Sequence, residues 1–335
     1  MMIRLILGAA LLMTAPGALA AQEAPAPAPL ELSGNIAPVH DPAIVREDGV
    51  YHLFTTGNLK DKEGLIGWRT STDLRNWTLQ QPVFAAIPDW AKEAVPDTRG
   101  LWAPDIVRAG DEYRLYYSVS TFGKNRSAIG LATTPTLDRA APGFGWVDQG
   151  LVWRSGANDD YNAIDPNIFI DDDGRHWMSF GSFWTGLKLV ELDPATGKPL
   201  PDAKLTAIAR RRSPGAVEAP FIIKRDGWYY LFASYDFCCR GADSSYYTVV
   251  GRSKAVAGPY VDRDGKAMMD GGGLLVLHAQ LDDSKRFAGP GHISILRDGG
   301  RDHIVYHAYD KRAEGRPTLR IQRIGWTPDG WPVAL

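Results

Sequence analysis

One phrase recurs five times along the chain and limits what it can fold into. A polar residue and a proline or glycine lead into a short apolar strand. A tight turn follows, then a second strand rich in Tyr, Phe and Trp. The units run through His40-Asp41-Pro42 to Thr55, Trp102-Ala103-Pro104-Asp105 to Ser118, Asn162 to Phe180, Val217-Glu218-Ala219-Pro220 to Ala233, and Gly289-Pro290-Gly291-His292 to Ala308. Aligned on Pro42, Pro104, Pro166, Pro220 and Gly291, they are spaced by 62, 62, 54 and 71 residues. A fixed internal period of this kind marks a repeat architecture.

Each unit reads as a hairpin, with Asp-Gly or Gly-containing turns between alternating apolar strands. A third strand follows in each: Gly64–Thr70, Ser127–Ala132, Gly186–Glu191, Tyr247–Arg252 and Thr318–Arg323. A fourth is weaker, as at Trp77-Thr78-Leu79 or Trp326 to Trp331. Antiparallel units of three to four strands, five times over, predict an all-β five-bladed β-propeller built as one domain over residues 31–335. A β-sandwich also explains many strands, but not a fivefold phrase. The only helix-like stretch, Ile87 to Glu93, is short and turn-like.

The chain of 335 residues opens with Arg4, an apolar run from Leu5 to Ala15 too short to span a bilayer, and Ala18-Leu19-Ala20, which fits a small-residue cleavage site. We read residues 1–20 as a signal peptide and 21–30 as a Pro/Ala-rich tether, with export to the periplasm or beyond. The net charge of −2 argues against nucleic acid or an anionic membrane as partner and suits a neutral substrate; we expect a monomer. The two cysteines, Cys238 and Cys239, are adjacent, which rules out a long-range disulfide framework. A vicinal disulfide and a pair of buried thiols both remain open.

In a propeller the first strand of each blade lies along the central axis, so the strand starts converge on one mouth. Asp41, Asp165, Glu218 and His292 stand there. Three carboxylates in one funnel suit hydrolysis of a glycosidic bond, which needs a protonated acid and an ionised base or nucleophile. Glu218, in an apolar setting beside like charges, is the candidate acid. Asp41, beside His40, is the candidate for the ionised partner, with Asp165 tuning the pair. The turn acids Asp171-Asp172-Asp173-Gly174 belong to a hairpin and lack the ligand spacing of a calcium loop. No G-x-S-x-G and no phosphate-binding glycine loop occurs.

At these residues the sequence resembles glycoside hydrolase family 43, and within it the endo-1,5-α-L-arabinanases. The resemblance covers the whole chain beyond the leader and rests on the phrases above together with Gly181-Ser182-Phe183-Trp184-Thr185-Gly186 and Phe237-Cys238-Cys239-Arg240-Gly241. It implies a five-bladed propeller that cleaves internal α-1,5 links of arabinan with inversion, with Asp41 as general base, Glu218 as general acid and Asp165 raising the acid's pKa. It implies sugar contacts from Trp102, Phe122, Asn162 and Ser182. It also implies a calcium ion near His292 on the axis; calcium prefers oxygen ligands, so waters would complete its shell. An exo-acting arabinofuranosidase or β-xylosidase on the same scaffold is the alternative, and a non-catalytic sugar-binding propeller is another.

Overall fold

The computed structural model describes residues Pro29–Ala334; the expected signal peptide and nearly all of the tether lie outside them. Five antiparallel sheets follow one another along the chain. Blade I is built from Ala43–Glu47, Val50–Thr55, Gly67–Ser71 and Asn76–Leu79. Blade II uses Gly100–Ala109, Glu112–Val119, Ser127–Thr134 and Val147–Ser155, and blade III uses Asn167–Ile170, His176–Phe180, Leu187–Leu192 and Thr206–Ala209. Blade IV uses Val217–Arg225, Trp228–Tyr235, Tyr247–Ser253 and Leu274–Leu277, and blade V uses Phe287–Asp298, Arg301–Asp310 and Arg316–Arg323. Strands pair in chain order within each blade, with simple hairpin registers such as Ala43 opposite Phe54 and Ile168 opposite Met178. A one-and-a-half-turn helix, Asp89–Ala94, covers the stretch that reads as turn-like in sequence.

The core is divided into five apolar clusters, one at each blade–blade interface. Phe54 and Trp68 of blade I meet Leu115 and Tyr117 of blade II, and Tyr116 and Leu131 of blade II meet Met178 and Phe180 of blade III. Leu187 of blade III meets Leu231 of blade IV, Phe232 of blade IV meets Ile304 of blade V, and Val305 and Ile321 of blade V meet Leu53 and Trp77 of blade I. The middle strands of a blade, such as Glu112–Val119 and Ser127–Thr134, are therefore buried on both faces, while outer strands such as Val147–Ser155 stay largely exposed. Burying one large side chain contributes about 1.5–3 kcal/mol, and a ring with every interface filled leaves no open sheet face.

The ring closes differently from the sequence expectation. Trp326–Trp331 is not a fourth strand of blade V. Gly325–Trp326 pairs with Pro332–Val333 in a separate two-stranded ribbon, because Thr327 to Gly330 turns the chain back on itself. The place beside the third strand of blade V is taken by residues 30–39. Leu30 N–H donates to Ile321 O (2.7 Å), Val39 N–H to Pro317 O (3.0 Å), and Leu319 N–H to Ile36 O (2.8 Å). The same segment runs parallel to the outer strand of blade I through Ser33–Gly34. Arg69 of blade I is fully buried and donates to the carbonyls of Asn35 (2.7 Å) and Pro38 (2.7 Å), tying this closing segment down.

Candidate active site

The starts of the five inner strands share an unusual backbone. Asp41, Ala103, Asp165, Ala219 and His292 all have positive φ, between 44° and 59°. A non-glycine residue in this region costs roughly 1–2 kcal/mol. Such a conformation persists only when neighbours hold it. They do: each of these N–H groups donates to a side chain of the preceding blade. Asp41 donates to His307 Nδ1 (3.1 Å), Ala103 to Thr56 Oγ1 (2.8 Å), Asp165 to Ser118 Oγ (2.9 Å), Ala219 to Asp165 Oδ2 (3.2 Å) and His292 to Ser234 Oγ (2.9 Å). A second layer lies just below. Asp105 accepts Ile168 N–H (2.6 Å), and Asn167 accepts Ile222 N–H (2.8 Å). In the same layer Ser294 donates to Pro42 O (2.8 Å).

This kink corrects the sequence register at two places. His292, not Gly291, is the blade V counterpart of the kink, so the last interval, from Ala219 to His292, is 73 residues. Glu218 is not the repeat equivalent of Asp41 and Asp165; it stands one residue before its kink, in register with Ser234. It nevertheless turns inward, because Ser182 bridges to it from blade III and donates to its Oε2 at 2.6 Å.

Asp41, Asp165, Glu218, His292 and Ser182 are thereby brought together on the axis. His292 Nδ1 is 3.0 Å from Asp41 Oδ1, and Thr56 donates to Asp41 Oδ2 at 2.5 Å. Burial alone would raise the Asp41 pKa, but the His292 charge and hydrogen bonds from His292 and His40 outweigh it and hold Asp41 well below the usual carboxylate range. Burial would likewise lower His292; the Asp41 carboxylate overcomes this and raises it to about 9. Glu218 goes the other way. Burial raises its pKa, with Asp41 adding to the effect against hydrogen bonds from Ser182 and Tyr246. Asp165 is also pushed well up, by burial first and then by repulsion from Glu218 and Asp41. One buried site thus holds an ionised carboxylate and two carboxyls biased toward their protonated forms.

The other expected residues take separate places. Trp102 is half-buried beside the Ala103 kink. Phe122 is 79% exposed, on the loop after the second strand of blade II, and so is not a core ring. Asn162 is buried, and its Oδ1 has no hydrogen-bond partner among the described residues. Cys238 and Cys239 form a vicinal disulfide, which decides between the two alternatives. Cys239 N–H donates to Tyr309 OH (2.7 Å), and the Tyr309 ring lies edge-on to His40 and His307. The hairpin acid Asp171 is occupied by Lys224 (2.7 Å) and Tyr229 (2.6 Å), as turn chemistry requires and a metal loop does not.

Sequence reasoning passes over Thr56, Ser118, Ser234, His307 and Tyr246. The first four have a legible signal, since the second strand of each unit ends on a hydroxyl or imidazole. Tyr246 has none until Gly291 is placed. A Cβ on Gly291 would stand 2.4 Å from the Tyr246 ring, so this glycine lets the phenol lie against Glu218.

The donor set bears on a cation. His292 Nδ1 faces Asp41, which leaves Nε2 as its free ligand atom, the arrangement of a carboxylate-backed metal histidine. His40, Asp41 and His307 also place one potential ligand atom each within 4.8 Å of one another. His307 is better read as a support. Its Nδ1 accepts the Asp41 N–H, so Nε2 carries the proton, and that buried N–H has no partner among the described residues. A water of a hydrated ion would supply one. The residues fit a cation held by one imidazole and completed by water.

Comparison with known proteins agrees with this geometry. Residues 36–332 match the model of glycosyl hydrolases family 43. The chain is 42% identical to an extracellular exo-α-(1→5)-L-arabinofuranosidase of Cellvibrio japonicus, over 88% of this chain and 85% of that protein. It is 41% identical to an extracellular endo-α-(1→5)-L-arabinanase of Bacillus subtilis, over 88% and 87%. The structure of a Cellvibrio cellulosa α-L-arabinanase complexed with arabinohexaose superposes with a TM-score of 0.82 at 42% identity, covering 89% of this chain and 95% of that one. The chain belongs to glycoside hydrolase family 43 and is a glycosidase.

Proposed function

We propose that the protein is an exported endo-1,5-α-L-arabinanase that cuts internal links of arabinan by single-displacement inversion. The observation that carries this reading is the convergence of Asp41, Asp165 and Glu218 on one axial site, where His292 pushes the Asp41 pKa down and burial pushes the Glu218 pKa up. In this mechanism Asp41, kept ionised by His292 and oriented by Thr56, takes a proton from the water that attacks the anomeric carbon. Glu218 gives its proton to the leaving oxygen. Asp165 accepts the N–H of Ala219 and so fixes the backbone that carries Glu218, while its repulsion favours a proton on the pair. Ser182 holds the Glu218 carboxyl in one rotamer. Inverting geometry leaves room for a water between base and acid. Trp102 and Phe122 offer ring faces to sugar, and Asn162 offers an unpaired acceptor.

His292 would hold a calcium ion through Nε2, with waters as the remaining ligands. When bound, the ion supplies fixed positive charge on the axis in place of the imidazole proton.

Endo action is favoured over exo action by the rim. The loops that leave the second strands border the mouth where the inner strands start. Leu59, Phe122 and Trp184 stand exposed on three of them, from blades I, II and III. An apolar arc across three blades suits a chain lying over the site rather than a chain end entering a pocket. The relatives' names divide between the two modes, so product analysis is the test. On linear arabinan, an early ladder of oligomers supports endo cleavage; arabinose alone from the first turnover contradicts it. Export accords with the leader residues and with the extracellular names of these relatives.

A further inference from the structure

Away from the axis, a groove of about 420 Å³ opens between blades III and IV. It is lined by Arg211, Tyr235, Tyr247, Gly273, Leu275 and His278, none of which takes part in the chemistry above. We propose that this groove is a distal binding site for the arabinan chain, an inference that rests on the arabinan reading of the active site.

Val217, the neighbour of Glu218, lies opposite Tyr235, and Tyr235 lies opposite Tyr247. Strands are spaced about 4.8 Å apart, so Tyr247 stands about 10 Å outward from the acid's strand. His278, just past the outer strand, stands about 14 Å out. Tyr235 ends the second strand and Tyr247 begins the third, so both sit at the catalytic mouth of the blade. The groove therefore continues the site outward along one blade.

Tyr235, Tyr247 and His278 form a run of edge-on rings, with centroids 5.8 Å and 5.6 Å apart, and Leu275 beside them is 43% exposed. Arg211 is already paired with Asp236 (2.7 Å) and stacked over Tyr235 (4.5 Å), so the groove does not call for an anion. Its Nε and Nη2 have no protein partner among the described residues, and His278 Nδ1 accepts Gln280 N–H, leaving Nε2 free. Aromatic faces with a few convergent polar atoms and no uncompensated charge match a neutral sugar, which offers C–H faces and hydroxyls. A Cβ at Gly273 would lie 2.7 Å from the Val249 side chain, so this glycine lets the outer strand close on Val249, which lines the groove beside it.

The experiment compares Tyr247→Ala with wild type on linear arabinan and on arabinotriose, a substrate too short to span both sites. We expect kcat/KM on arabinan to fall about tenfold, the loss of one aromatic anchor, while kcat/KM on arabinotriose stays within about twofold. Tyr247→Phe keeps the ring and keeps activity on both. Equal losses on the two substrates, or none on arabinan, overturn the proposal. A second readout is independent of cleavage. Glu218→Gln protein should be retarded in a native gel containing linear arabinan, and Glu218→Gln with Tyr247→Ala should run ahead of it. Unchanged retardation, or none in Glu218→Gln itself, overturns the site. Failure of the arabinan reading shows separately, as wild-type protein that cleaves neither substrate.

Discussion

The Thr56 hydroxyl donates to Asp41 Oδ2 at 2.5 Å while it accepts the N–H of Ala103 at 2.8 Å. Its proton therefore has one place to go, and the hydroxyl both aims the candidate base and holds the kink of the next blade. A hydrogen bond to a charged group contributes about 1.5–3 kcal/mol. Thr56→Val should lower kcat/KM by about 10- to 100-fold. It should also shift the acidic limb of the pH profile upward, because Asp41 loses a donor that favours its ionised form. Thr56→Ser should restore both. An unmoved acidic limb in Thr56→Val would contradict this role.

Arg69 tests ring closure apart from catalysis. It reaches the carbonyls of Asn35 and Pro38 from a fully buried position. Arg69→Met leaves both acceptors without a donor and should cost about 2–4 kcal/mol of stability. Thermal unfolding should show the midpoint falling by several degrees, with kcat on the folded fraction unchanged. A stable Arg69→Met protein would mean that the segment closes the ring without this clamp.

The His292–Asp41 pair sets a pH window. His292 is raised in the fold to about 9 from an ordinary value near 6.5. Its contribution is full below about pH 6.5 and lost as pH climbs through about 9. Asp41 is depressed in the fold, so its contribution is present above the ordinary carboxylate range and lost as pH falls through its folded value. In chelator, the Tm gap between wild type and His292→Gln should be widest near about pH 5–6 and should shrink toward about pH 10. A gap that widens with pH would show that the imidazole is neutral.

Calcium follows from the same residue with the opposite pH trend. The ion needs the unprotonated Nε2, so its stabilisation of wild type should grow as pH rises. His292→Gln should lose most of that stabilisation. Equal calcium shifts in the two proteins would place the ion elsewhere.

Much of this was legible in the residues. The blades could be read because alternation, aromatic second strands and Asp-Gly turns repeat, and because three acids sit at strand starts. Ring closure was not, since the alternation of Leu30-Glu31-Leu32-Ser33 breaks at Gly34 and residues 30–39 take their place only through distant partners in blades I and V. The offset of Glu218 was also hidden. The Ala219-Pro220 pair looks like Asp41-Pro42 shifted, and only the positive φ of Ala219 and the bridge from Ser182 show which residue turns inward. The supports Thr56 and His307 lie 15 and 266 residues from the acid they hold, so the polar residue near the end of each second strand can be read but its target cannot.

The division of labour between Asp41 and Glu218 is tested most directly by the configuration of the first product. Hydrolysis of an α-linked arabino-oligosaccharide, followed by NMR before mutarotation, should release the β-anomer first, with Glu218→Gln inactive. Initial release of the α-anomer would mean retention through a covalent intermediate, and would contradict Asp41 as a base acting through water.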